Sequence, residues 1–121
     1  MSGMTRQPTS LVSTTDSTGA PGVQWKLTDP ERDLDANIVQ LAPDAEIGVH
    51  VGAEVDVLLQ ILDGSGFLIT DSGSAAVSAG DLLLLPRQSR RGFAAGPHGM
   101  RYLTVHQRRQ ALTLGPIGGP Q

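Results

Sequence analysis

From Val55 to Leu62 the chain alternates. Val55, Val57, Leu59 and Ile61 form one apolar face, and Asp56, Leu58, Gln60 and Leu62 form a mixed one, the period of a strand with one face in a core. The same period of two, interrupted by turn chemistry about every eight to twelve residues, runs through the middle of the chain. Helical periodicity is weak throughout. Asn37 to Leu41 and Ile47 to Val51 read as strands separated by Pro43-Asp44. Asp63-Gly64 after Leu62 is a hairpin signal, because type I′ turns need positive φ at both central residues, so Phe67 to Thr70 is expected to return antiparallel. Ala75 to Val77 is a short strand between turns at 71–74 and 79–81. Leu82 to Leu85 is an unbroken apolar run stopped by Pro86, the pattern of a strand covered on both faces. Arg90 to Ala94 and Met100 to Gln107 complete the set, joined by a loop at Gly96-Pro97-His98-Gly99. The sum is an all-β chain of about eight strands, suited to a small closed barrel or jelly roll.

The ends do not share this pattern. Residues 1–22 are rich in Ser, Thr, Gly and Pro, with too few apolar anchors to offset the entropy of ordering, and are expected to be a disordered arm. The barrel is assigned to 23–110, and 111–121, dense in Gly and Pro, to an extended tail. A chain of 121 residues with 39% hydrophobic residues supports one modest core. Aromatics are 3%, so that core is mainly Leu, Val, Ile and Ala, and a stacking surface for single-stranded nucleic acid is not expected.

There is no cysteine, which removes disulfides, thiolate zinc sites and thiol nucleophiles; any chemistry must use His, carboxylates, Arg or Tyr. No apolar stretch reads as a signal peptide or a membrane span, so the expected location is the cytoplasm, with neither membrane nor nucleic acid as partner. Net charge is −3 but uneven: residues 1–81 hold all twelve acids against three bases, and residues 82–121 hold six arginines and no acid. Either the two parts neutralise one another in the fold, or the arginines form an anion-binding patch.

Two segments resemble the cupin motifs. The pattern G-x5-P-x-G-x2-H-x3-N is approached by Gly80-Asp81-Leu82-Leu83-Leu84-Leu85-Pro86, and G-x5-H-x-H-x3-4-E-x6-G by His50 and Gly64, with Asp44 standing for the first glycine; Asp tolerates the left-handed conformation such a turn requires. The resemblance covers roughly residues 36–107 and implies a double-stranded β-helix, the jelly-roll-like cupin barrel. It also implies where metal ligands should stand. Counted from Gly64 and Gly80, the glutamate position is Val57, the paired histidines are His50 and Gly52, the third histidine is Arg91, and the glycine after the proline is Gln88. Only His50 keeps a ligand. Gly and Val offer no donor and a guanidinium has no lone pair to give, so no metal and no other cofactor is expected.

The pocket candidates are therefore His50, Val57, Leu59, Ile61, Arg91, Tyr102 and His106. His50 serves either as a hydrogen-bonded wall residue or as a pocket acid or base. Tyr102 and His106 share a strand face with Met100 and Thr104; whether that face points inward is open at this stage. Arg91 presents a fork for a carboxylate or phosphate, or else pairs with an acid such as Asp56. Asp56 itself lies one residue from the glutamate position, on the opposite face, and reads as a solvated wall residue. Trp25, in Val23 to Leu27, is expected to pack against the barrel or a second subunit.

The leading expectation is a small-molecule-binding cupin domain, metal-independent, taking an apolar or carboxylate-bearing ligand in the barrel mouth, with catalysis left open. Two alternatives stand beside it. One is a metal-dependent dioxygenase or isomerase with a non-standard site of His50, His106 and a carboxylate or water. The other is a structural dimerisation barrel, since exposed barrel edges and the Leu82 to Leu85 strand invite sheet extension; the resemblance to cupins itself implies a homodimer.

Overall fold

The computed structural model of the protein describes residues 6–109. These contain no helix and seven strands: β1 (Gly22–Lys26), β2 (Leu34–Leu41), β3 (Glu46–Val51), β4 (Val57–Thr70), β5 (Gly73–Ser78), β6 (Leu82–Leu85) and β7 (Arg90–Gln107). Every pairing is antiparallel, in the order β1-β2-β7-β4-β5, with β3 on β7 and β6 on β4.

The axis of this arrangement is the β4–β7 pair, which runs from Val57 opposite His106 to Ile69 opposite Gly92. Each of the two strands changes its second neighbour part-way. Residues 57–60 of β4 bond β6 and residues 65–70 bond β5, while residues 90–94 of β7 bond β3 and residues 100–107 bond β2. At the changeover the β4–β7 register shifts between Ile61 and Asp63 and again between Gly64 and Gly66.

This corrects the hairpin and the loop expected from sequence. Asp63-Gly64 does not turn the chain back, and Gly96 to Gly99 is not a loop between strands; both lie inside the two longest strands. Gly64 has φ 80°, the positive value that Asp-Gly signalled, but spends it on a bulge that bends β4. A Cβ there would run into the carbonyl of Gly99, so the strands meet where only glycine fits. Long-range pairing to β7 outweighs the local turn preference; the two mergers turn the eight expected strands into six, and β1, not among those expected, makes seven among the described residues. A second correction concerns β6. Leu85 is buried and Leu83 half-buried, but Leu82 and Leu84 are 64% and 59% exposed, so the strand is covered on one face only.

Val57, Leu59, Ile61, Val77, Leu85, Phe93, Ala95, Met100 and Tyr102 make the core cluster. Phe93 and Tyr102 stack within it, ring centroids 5.9 Å apart. Inward positions on β7 continue through Thr104, whose hydroxyl donates to Asn37 Oδ1 on β2. Ile38 must then point away from the barrel interior, and it is still 2% exposed. Residues 6–21 carry no strand, and Val12, Asp16, Ser17 and Thr18 among them come beside it. Val12, Ser17 and Thr18 line a cleft with Gln24, Trp25 and Ile38. Gln24 Nε2 donates to Ser17 Oγ and Ala20 O at 3.3 and 3.2 Å, and Arg101 Nη1 to Thr14 O at 2.7 Å. Trp25 sits half-buried in β1, beneath this segment. The tail expected at 111–121 lies outside the described residues.

Candidate functional site

A cavity of about 300 Å³ opens between β3, the first half of β4, β6 and both halves of β7. Its wall is apolar: Ile47, Val57, Leu59, Leu85 and Phe93, with the ring of Tyr102. Period-two geometry assembles it. Val57 and Leu59 face the same side of β4 and stand opposite His106 and Thr104 of β7, and Val57 also stands opposite Leu85 of β6. His50 pairs with Arg91 across β3 and β7, and Ile47 with Phe93.

Six of the candidates meet here: His50, Val57, Leu59, Arg91, Tyr102 and His106. The seventh does not. Ile61 is wholly buried in the core and does not line the cavity. The strand face that sequence left open, Met100 to His106, points inward. Four lining residues were missed, Ile47, Leu85, Phe93 and Thr104. Phe93 and Thr104 were within reach, since each lies two residues from a candidate on the same strand; Ile47 and Leu85 arrive only through pairing with β7 and β4.

Arg91 is the charged centre of the cavity. The residue is 7% exposed. Its Nη1 donates to Pro86 O and Ser89 O at 3.2 Å and to Ser89 Oγ at 3.0 Å, which fixes one end of the guanidinium on the turn after β6. That turn is itself tied down: Gln88 N donates to Ala53 O at 2.7 Å, Gly52 N to Ser89 O at 2.9 Å, and Arg87 N to Asp56 Oδ1 at 2.8 Å. Asp56 therefore serves the backbone and does not pair with Arg91. Among the described residues Arg91 has no ion pair, and no Asp or Glu lines the cavity. Burial without a counter-charge lowers its pKa from the ordinary value, yet arginine titrates so high that the group stays cationic.

The two histidines are placed alike. His50 Nδ1 lies 2.9 Å from Gly48 O and His106 Nδ1 2.9 Å from Gln107 O. A carbonyl only accepts, so each Nδ1 carries the proton and each neutral ring keeps a lone pair on Nε2. The Tyr102 hydroxyl has no hydrogen-bond partner among the described residues, and burial raises its pKa.

The donor set does not fit a divalent metal. Two imidazoles face the cavity without a carboxylate and beside a fixed guanidinium, and among the described residues no three His, Cys, Asp or Glu side chains group as a metal site.

No family model matches the chain, and no curated protein does. Solved structures do. The polyketide cyclase RemF from Streptomyces resistomycificus is similar at TM-score 0.67 and 24% identity, over 87% of this chain and 83% of that one. A cupin protein from Bacteroides fragilis matches at TM-score 0.64 and 19% identity, over 94% and 98%. A double-stranded β-helix protein from Klebsiella pneumoniae matches at TM-score 0.62 and 17% identity, over 83% and 90%. At these identities the likeness establishes the fold: a double-stranded β-helix of the cupin kind.

Proposed function

We propose that this cupin-fold chain binds a small organic molecule in the cavity between β3, β4, β6 and β7, and does so without a metal. One observation carries the reading. An apolar pocket of about 300 Å³ converges on a few placed polar groups, His50, Arg91, Tyr102, Thr104 and His106, which is the composition of ligand sites in general, and its volume stands at the small end of their range. A fold-level likeness does not choose the chemistry, which belongs to the site.

The test has two arms on untagged protein. Elemental analysis after growth with added iron, manganese, nickel and zinc is expected to find less than about a tenth of an equivalent of each. Ligand-observed NMR with a fragment library is expected to give hits that vanish in Leu59→Trp, which fills the pocket. Near-stoichiometric metal that is lost in His50→Ala would overturn the metal-free reading and put a dioxygenase or isomerase in its place.

A catalytic reading has its own support. Two imidazoles with free Nε2 atoms face one cavity, as a general acid and base would, and the RemF structure is that of a polyketide cyclase. Turnover of a bound fragment, abolished in His50→Ala while its binding persists, would promote this reading over simple binding.

A further inference from the structure

Gly52 and Arg91 fit each other in a way neither shows alone. A Cβ on Gly52 would fall inside the guanidinium of Arg91, against Nη1, Cζ and Nη2. The bare backbone just beyond β3 is thus the bed on which the guanidinium lies. Nη1 points to the 86–89 turn and is occupied there by three acceptors. Nε and Nη2 have no partner among the described residues, and neither is sealed from solvent. These two nitrogens form the side-on edge of the guanidinium, whose parallel N–H bonds match the two oxygens of a carboxylate.

We infer that Gly52 and Arg91 together form a carboxylate-binding position, and that the ligand of this cavity is a small organic acid with an apolar body. The inference rests on the reading of the cavity as a ligand site and adds the chemical class. Burial leaves the cation with little solvent and, among the described residues, no counter-charge, which is unfavourable until an anion arrives. The cavity supplies none, because its lining has no acid. The anchor at Nη1 fixes the orientation of the fork in advance, so little freedom is lost on binding. The remaining walls are Ile47, Val57, Leu59, Leu85 and Phe93, which suit a hydrocarbon or aromatic body and would leave a second negative charge unsolvated. A monocarboxylate satisfies both parts; a phosphate dianion satisfies only the first.

The experiment is calorimetric titration of the full-length chain with hexanoate and benzoate, with hexanamide and benzamide as neutral isosteres, and with inorganic phosphate. The acids are expected to bind at least tenfold more tightly than their amides. Arg91→Met and Gly52→Ala, the second by pushing the guanidinium off its bed, are expected to remove that preference. Arg91→Lys keeps the charge, loses the fork, and is expected to fall between. A thermal melt without ligand shows whether each variant folds, and Arg91→Met is expected to melt no lower than the parent, since it removes an unpaired buried cation. Acids and amides binding equally, with no response to Arg91→Met, would refute the carboxylate position and leave the cavity reading intact. Phosphate binding more tightly than either acid refutes it as well. No binding of acids and amides alike overturns both readings.

Discussion

Gln88 shows how much a single residue can be asked to do. It stands in the turn after β6 with φ 59°, and its N–H donates to Ala53 O, so the turn that anchors Arg91 depends on a side-chain-bearing residue held in the left-handed region. That conformation costs an L residue roughly 1–2 kcal/mol, and glycine avoids it while adding about 0.5–1 kcal/mol of unfolded-state entropy. Gln88→Gly is expected to stabilise the chain by about 0.5 kcal/mol, raising the melting temperature by about 3 °C. Calorimetry would check it, and a fall would mean that the Gln88 side chain holds the turn. Sequence marked this position through its resemblance to a glycine, and marked Asp44, with φ 62°, in the same way. It also found Arg91 and His50, because each stands at a named motif position. What it lacked was the partner of Arg91. The motif comparison marked Gly52 only as a lost ligand, whereas its importance lies in the guanidinium that lies against it.

At the scale of elements, period two located nearly every strand, and the errors lie where pairing across the chain outweighs local signals. Asp63-Gly64 has hairpin chemistry and Gly96-Pro97 has loop chemistry, yet each is a bend within a strand, because β4 and β7 pair beyond both points. The β6 strand was misread for a different reason. Four leucines in a row look alike from both sides, and only the structure shows Leu82 and Leu84 outward, beside Leu58 of β4, itself 48% exposed. Among the described residues β6 bonds only β4, so its other edge is open, and it carries no charge to keep a second strand away. We expect a homodimer built on this edge and face. Light scattering behind gel filtration should give twice the chain mass, and Leu84→Arg should return it to one. A parent that is monomeric at every concentration would assign this face to something other than a second copy.

At the scale of the whole molecule, folding pairs two of the six arginines after residue 81 with acids from the first part of the chain. Arg90 pairs with Asp71 at 3.2 Å and Arg109 with Glu54 at 3.3 Å, joining the arginine-rich end to the acidic part. Arg91, Arg101 and Arg108 instead donate to carbonyls, Arg91 to Pro86 and Ser89, Arg101 to Thr14, and Arg108 to Pro30 and Arg32. Arg101 ties the least regular segment to the sheet. It is 4% exposed, its Nε has no partner among the described residues, and Thr14 O is the acceptor that residues 6–21 supply. Composition alone made this segment a disordered arm, since it counts the segment's own apolar residues and not the outward faces of Ile38 and Trp25 that await cover. Deleting residues 1–20 separates the two views. If the segment covers the sheet, the deletion exposes part of Ile38 and takes the acceptor from Arg101, at a cost of about 2 kcal/mol and a melting temperature lower by roughly 8 °C. If it is a solvated arm, the melt does not move. The cavity lies on the other face of the sheet, so binding there should persist in the shortened chain at a temperature where it is folded.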